Sequence, residues 1–243
     1  MLGAVNTLAL SLSPDDTAAV DAALQDWQAG GKSQRLWSRD RSLWTGTDED
    51  KWLGWLSVAD DQLAQVDGLT QFAAQITKAG VRDVLLLGMG GSSLAPDVLR
   101  RTFGRIPGFP ELHVLDSTDP AQIAAIEQRV DLTRTLCIVS SKSGSTLEPN
   151  IFLSYFFARV AALVGEREAG ARFIAITDPG SNLEKDAGRL AFSRVFFGVP
   201  SIGPFPSIAT IPSTIASDGR TAPAMSRIER SIPCQCSAFF GHP

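Results

Sequence analysis

Val84-Leu85-Leu86-Leu87-Gly88-Met89-Gly90-Gly91-Ser92-Ser93-Leu94 is the stretch whose reading decides the fold. Its four consecutive apolar residues show no polar alternation, which suits a parallel strand buried on both faces. Glycines at 88, 90 and 91 then turn the chain, and Leu94–Phe103 reads as a helix. The same grammar recurs downstream. Leu112–Leu115, Leu136–Val139, Phe173–Ile176 and Val195–Val199 are apolar runs of strand length. Ala121–Val130, Leu147–Val164 and Leu183–Leu190 lie between them with helical patterning, and Asp119-Pro120 offers a cap and first turn to the first of these. The alternation predicts an α/β fold, a doubly wound three-layer sandwich around a five-stranded parallel sheet with right-handed crossovers.

Upstream, residues 1–80 read as a helical segment. Pro14-Asp15-Asp16 starts a helix carrying Val20, Leu24 and Trp27, and Gly30-Gly31 ends it. A polar loop, Lys32–Arg41, follows. Thr47–Asp50 opens a second helix with Trp52, Leu56, Ala59 and Leu63, and a third runs near Leu69–Ala79. Downstream, residues 203–243 hold six of the 14 prolines and two of the three cysteines, and apolar periodicity disappears. Pro204, Pro206 and Pro212 interrupt any strand or helix there. The expectation for 204–243 is an irregular tail.

Composition narrows the function. With 22 Lys and Arg against 26 Asp and Glu, the net charge of -4 argues against a broad nucleic-acid face. Three cysteines in 243 residues are too few for a disulfide framework and fit a reducing cytoplasm. Two histidines leave little material for a metal site. No apolar run is read as reaching the ~18 residues of a membrane span, and Met1–Ser13 lacks the basic start of a secretory signal.

Two loops carry the chemistry. In open α/β sheets, ligands bind beyond the carboxyl ends of the strands. After the first strand, Gly88–Gly91 lets backbone approach a ligand, and the following helix offers unpaired N–H groups beside Ser92 and Ser93. The spacing matches neither a dinucleotide fingerprint nor a nucleotide P-loop. After the third strand, Ser140-Ser141-Lys142-Ser143-Gly144-Ser145-Thr146 puts five hydroxyls around one lysine at the start of the helix Leu147–Val164. Hydroxyls and backbone N–H groups at a helix N-terminus are what a phosphate dianion needs. Without a nucleotide motif, a small phosphorylated metabolite is the expected ligand.

Gly88-Met89-Gly90-Gly91-Ser92-Ser93-Leu94-Ala95-Pro96 resembles the Gly-Ile-Gly-Gly-Ser-x-Leu-Gly-Pro segment of glucose-6-phosphate isomerases. Ser140–Glu148 is similar to that family's Thr-Ser-Lys-Thr-Phe-Thr-Thr-x-Glu loop. Asp178-Pro179-Gly180-Ser181 and Phe196–Gly203 also resemble bacterial members. Leu43-Trp44 and Lys51–Leu56 are similar to the lead-in of bifunctional transaldolase/glucose-6-phosphate isomerases, which would set Met1 inside a longer parental chain. The resemblance implies that residues 81–203 form the first of two sugar isomerase (SIS) subdomains. It assigns the sugar phosphate to Ser92, Ser141, Ser143 and Thr146, with backbone support from Gly91 and Lys142. The implied substrates are glucose 6-phosphate and fructose 6-phosphate, interconverted through an enediolate without metal or organic cofactor. Members are usually homo-oligomers, and a neighbouring subunit completes the site.

The match stops at Gly203. The family continues Ser-Ile-Gly with Gly-Arg-Tyr/Phe-Ser, whereas this chain reads Ser201-Ile202-Gly203-Pro204-Phe205-Pro206. No residue of 204–243 matches the family's catalytic Glu, His, Lys or Arg, so no catalytic residue is assigned, and a truncated or frameshifted end is expected. His113 begins a strand and reads as structural, Glu148 as a helix residue matched to the dipole, and Cys234 with Cys236 lacks a second ligand pair for zinc. The rival reading is a stand-alone SIS module that binds or senses a sugar phosphate. Such a module would carry a DNA- or protein-binding partner, and residues 1–80 show no basic recognition helix. An uncovered sheet edge near Val195–Val199 would favour self-association.

Overall fold

The computed structural model describes residues 11–202. The expected irregular tail, Cys234, Cys236 and His242 lie outside the described residues. Five strands form one all-parallel sheet: β1 (Asp83–Gly88), β2 (Glu111–Leu115), β3 (Thr135–Ser140), β4 (Phe173–Thr177) and β5 (Arg194–Phe197). Their order is β2-β1-β3-β4-β5. The registers include Asp83 with Glu111, Gly88 with Ser140, Cys137 with Phe173 and Ile174 with Arg194. This is the α/β architecture that the alternating runs predict.

Successive strand residues face opposite ways, so continuous apolar runs serve two cores at once. Leu85, Leu87, Cys137, Val139 and Ala175 point to one face. There they pack on α7 (Leu147–Val164) through Phe152, Phe156 and Val160 and, past the one-turn α8 (Glu166–Ala169), on α9 (Asn182–Arg189) through Leu183 and Ala187. Val84, Leu86, Leu136, Ile138, Ile174 and Ile176 point to the other face, against Phe72 and Ile76 of α4 (Val66–Lys78). Edge-to-face packing of Phe72 on Phe196, with ring centroids 5.4 Å apart, and the Arg194 guanidinium 4.6 Å from the Phe72 ring fasten α4 to β5. The third helix of residues 1–80 is therefore an outer layer of the sheet.

Several local expectations change. The helix after β1 is α5 (Gly91–Phe103), so Ser92 and Ser93 lie in its first turn and not in a loop before Leu94. β5 ends at Phe197, two residues short of Val199. The helix after β2, α6 (Pro120–Glu127), stops before Val130. α1 (Pro14–Ala29) ends where Gly30-Gly31 predicts, with Gly30 as C-cap. Lys32–Trp37 is a short helix, α2, and not part of a polar loop, because Gly31 at φ +56° turns the chain and accepts the Arg35 amide at 3.1 Å.

The single helix expected from Thr47 to Leu63 is also broken. Glu49–Trp52 and Gly54–Leu56 are 3₁₀ turns, and only Val58–Leu63 is α-helical, as α3. A tertiary contact overrides the periodicity. The Gly54 amide donates to the Ser201 carbonyl at 2.9 Å, and Leu53 bridges Ile202 in antiparallel sense just past β5.

α7 corrects the reading that no segment is long and apolar enough to span a membrane, since its 18 residues have mean hydropathy 1.3. Runs of Phe, Leu and Val raise that mean although Glu148, Asn150 and Arg159 interrupt them. Phe152, Phe156 and Val160 are fully buried on the sheet, which is the pattern of a core helix.

That packing generates a test. Phe152→Ala removes a 0% exposed ring from between α7 and β1–β3. It should lower unfolding stability by about 3–5 kcal/mol, read from the urea midpoint at unchanged m-value. A loss like that of an exposed substitution such as Leu163→Ala would show that α7 is not the second wall of this core.

Candidate functional site at the carboxyl edge of the sheet

The strand order makes a switch point between β1 and β3. The chain leaves β1 toward β2 and leaves β3 in the opposite direction toward β4, so right-handed crossovers send α5 and α7 to opposite faces and leave a crevice between them. Both chemistry-bearing loops open onto it, because Gly88 and Ser140 are register partners at the ends of β1 and β3. Gly88 also lets α5 approach. A Cβ placed there would lie 3.2 Å from the Ser92 Cβ and 3.4 Å from the Ser140 carbonyl oxygen. The space kept free at Gly88 thus lies between Ser92 and the end of β3.

The helices that follow β1 to β4 divide into two kinds. α6 is capped by Asp119, whose carboxylate accepts the Ala121 amide at 2.7 Å, and α9 by Ser181, whose hydroxyl accepts the Glu184 amide at 3.1 Å. α5 and α7 carry no side-chain cap. These are the two helices at the switch point. The four orphan N–H groups of a helix start need a partner, and an anion is the partner that the dipole favours.

The site residues proposed from sequence fall into small groups. Ser141 is buried and its hydroxyl faces that of Thr146 at 3.4 Å, a weak contact that leaves the exposed Thr146 hydroxyl open to a better acceptor. The exposed Ser143 and Ser145 hydroxyls are 2.9 Å apart, and the Ser145 amide donates to Ser143 Oγ at 3.2 Å. Gly91 and Ser92 are half-buried in the first turn of α5. Ser93 is buried and donates to the Gly90 carbonyl at 2.9 Å, so its hydroxyl serves the turn itself. The Lys142 ammonium is engaged by the Asp178 carboxylate.

The loop is held from below by the turn after β4. The Ser141 amide donates to Ile176 O at 3.0 Å, the Asp178 amide to Lys142 O at 3.0 Å, and the Thr177 hydroxyl to Lys142 O at 3.2 Å. Gly144 sits at φ +66°, where a Cβ would come within 2.7 Å of the Leu183 nitrogen and 2.9 Å of the Ser181 Cβ. Thr177, Asp178 and Ser181 were not singled out as functional from sequence. The signal available was the turn-forming run Asp178-Pro179-Gly180-Ser181 after a strand, which resembles family members without announcing a role.

Other reactive groups stand apart. His113 Nε2 meets Asp83 Oδ1 at 2.8 Å, with Asp83 opening β1 at the far end of the sheet, so His113 is structural. Burial pushes the Cys137 thiol up to about 12, which makes it unreactive. Glu148 occupies the first turn of α7 as a dipole-matched residue. Among the described residues no cluster of His, Cys, Asp or Glu could hold a metal ion. A groove of about 680 Å³ runs between α7 and α9 from Gly144 and Ser145, but Ser92, Ser141 and Thr146 do not line it.

A doubly wound parallel sheet with both hydroxyl- and glycine-bearing loops at its switch point defines a three-layer α/β domain. The comparisons give that class its family. The phosphoglucose isomerase family profile matches residues 66–185. A glucose-6-phosphate isomerase of Trichormus variabilis is 33% identical over 143 residues, covering 54% of this chain and 26% of its own length. One from Chlamydia pneumoniae is 31% identical over 175 residues, covering 70% and 30%. The crystal structure of a glucose-6-phosphate isomerase from Chlamydia trachomatis superposes with a TM-score of 0.52 at 25% identity, over 75% of this chain and 34% of that one. A hypothetical protein from Thermus thermophilus shares the fold, with a TM-score of 0.65 at 24% identity over 86% and 49%. Residues 66–185 of this chain, which hold β1 to β4, thus match the phosphoglucose isomerase family. The chain spans about a quarter of the length of the first curated relatives it matches.

Gly144 offers the local test. Gly144→Ala combines a left-handed backbone with a steric clash and should cost about 1–3 kcal/mol, measured by chemical unfolding. Gly68→Ala, on the exposed side of α4 with open space around it, should instead be neutral or gain up to about 1 kcal/mol. Equal effects of the two would mean that the 141–146 loop does not rest on α9.

Proposed function

We propose that this chain binds the phosphate of glucose 6-phosphate and fructose 6-phosphate, as the phosphate-gripping part of a glucose-6-phosphate isomerase. The observation that carries the proposal is the convergence of the two uncapped helices, α5 and α7, at the switch point. The hydroxyls of Ser92, Ser141, Ser143 and Thr146, with N–H groups of Gly91 and Lys142, supply the grip. The isomerases work in glycolysis and gluconeogenesis, and a cytoplasmic setting accords with the reduced, buried Cys137.

Isomerisation needs a base that moves a proton between C1 and C2, and a donor that stabilises the enediolate oxygen. The family motif's Arg has no counterpart at 205, where this chain has Phe205, and nothing in 204–243 matches the segments to which the resemblance assigns the Glu, His and Lys. General acid–base catalysis contributes typically ~10²–10⁴-fold, and one oxyanion donor about 10²–10³-fold. A phosphate grip that holds ground state and transition state equally does not accelerate the chemical step. The 243-residue chain by itself is therefore a binder with no isomerase turnover.

Two measurements check this. Calorimetric titration with glucose 6-phosphate should show weak binding that Ser143→Asp abolishes by repulsion, and equal binding by both proteins would count against the site. Conversion of fructose 6-phosphate, coupled to a dehydrogenase, should stay at background. Turnover close to that of full-length relatives would mean that Glu148 or another residue supplies the base.

A further inference from the structure

We infer that Asp178 is the positioning residue of the phosphate loop, acting through Lys142, so that the lysine's ammonium shapes the cradle and does not itself hold the ligand, which is left to the backbone N–H groups and hydroxyls. The inference rests on the phosphate reading proposed above.

Lys142 is bound at both ends by one turn. Its ammonium pairs with Asp178 Oδ2, while its carbonyl accepts the Asp178 amide at 3.0 Å and the Thr177 hydroxyl at 3.2 Å. The side chains are 13% exposed for Lys142 and 22% for Asp178, so little water screens the pair. Thr177 is fully buried and its hydroxyl also lies 2.8 Å from that of Ser181, the cap of α9. The turn is thus anchored in the core before it reaches the loop. Asp178 Oδ1 is buried without a partner. That leaves Lys142 as the one cation on this carboxylate among the described residues, and it fixes the direction of the lysine stem.

Two consequences follow. With its charge neutralised by Asp178, the lysine adds no net positive charge to the cradle, and the dianion is held by N–H groups and hydroxyls. The orientation of the Lys142 peptide, whose carbonyl is tied down by Asp178 and Thr177, also fixes where Ser143 and Gly144 begin. Loss of either partner should therefore disturb binding by the same route, and losing both should be no worse than losing one.

The test is a double-mutant cycle on the full chain, titrated with glucose 6-phosphate and with inorganic phosphate at a temperature where circular dichroism shows every variant folded. Lys142→Met and Asp178→Asn should each weaken binding roughly tenfold, and the double variant also roughly tenfold, not a hundredfold, as expected for two residues acting as a unit. The reversed pair, Lys142→Asp with Asp178→Lys, should recover most of the loss, which a ligand role for the ammonium would not allow. Tighter binding by Asp178→Asn would show that the freed lysine reaches the anion and would overturn the inference, as would additive losses. If a single variant does not fold, the double variant decides, because removing both partners leaves no buried charge uncompensated. Wild-type-like binding by it would sink the proposal. Absence of wild-type binding to either probe would instead bring down the phosphate reading, and the inference with it.

Discussion

The pairing of Gly88 with Ser140 at the ends of β1 and β3 is the constraint on which the rest of the site depends. Parallel strands in register deliver their following residues to the same edge. Because the chain departs from these two strands in opposite directions, no connection crosses between them. The crevice is thus a result of strand order. Its chemistry comes from the next few residues. Glycine at 88 admits the first turn of α5 close to the end of β1, and the hydroxyl-rich run 140–146 follows β3 beside it. The helices that follow β2 and β4 satisfy their own starts through Asp119 and Ser181. Those that follow β1 and β3, at the crevice, carry no side-chain cap, which is what the proposed anion site rests on.

Much of this was legible in the sequence because burial on both faces leaves an unambiguous mark. Runs such as Val84–Leu87 and Leu136–Val139 admit no solvent face, and the structure places them in the two central strands with zero to 4% exposure. Helix starts were less legible. Gly91-Ser92-Ser93 reads as loop by composition, yet it forms the first turn of α5, since a helix needs only backbone geometry there and Gly90 supplies the turn before it. The segment 47–63 failed for a different reason. Its apolar spacing is helical, but Leu53 and Gly54 are drawn to Ser201 and Ile202, almost 150 residues away. Local periodicity holds no information about that partner. The support under the 141–146 loop was hidden likewise, because Asp178 pairs with Lys142, 36 positions earlier in the chain.

The lead-in and the sheet are joined where both would otherwise be weak. α1 buries none of its residues, and Val20, Leu24 and Trp27 stay almost half exposed. In contrast, α4 contributes Leu69, Phe72, Ala73 and Ile76 to the core. Stabilisation from the first 80 residues therefore enters through α4 and through Leu53, which is 6% exposed at its bridge to Ile202. That bridge lies directly beyond β5, the edge strand, whose Phe197 is 46% exposed. An edge strand offers unpaired backbone groups to other chains. The Leu53-Gly54 clasp occupies the chain just past that edge and limits how far the edge can extend.

Binding and chemistry separate cleanly in this architecture. A phosphate grip can be built from one sheet edge, because its parts are backbone N–H groups and short hydroxyl side chains placed by strand register. Proton transfer cannot be assembled in the same way. The base and the enediolate donor must meet C1 and C2 of the sugar, away from the phosphate, and so must come from polypeptide that faces this crevice from beyond it. The proposed grip therefore draws on this edge alone, whereas the proposed reaction would draw on groups from elsewhere. On that proposal, affinity would depend on local features: how the two helix starts are aimed, and how firmly the turn at Thr177 and Asp178 holds the 141–146 loop.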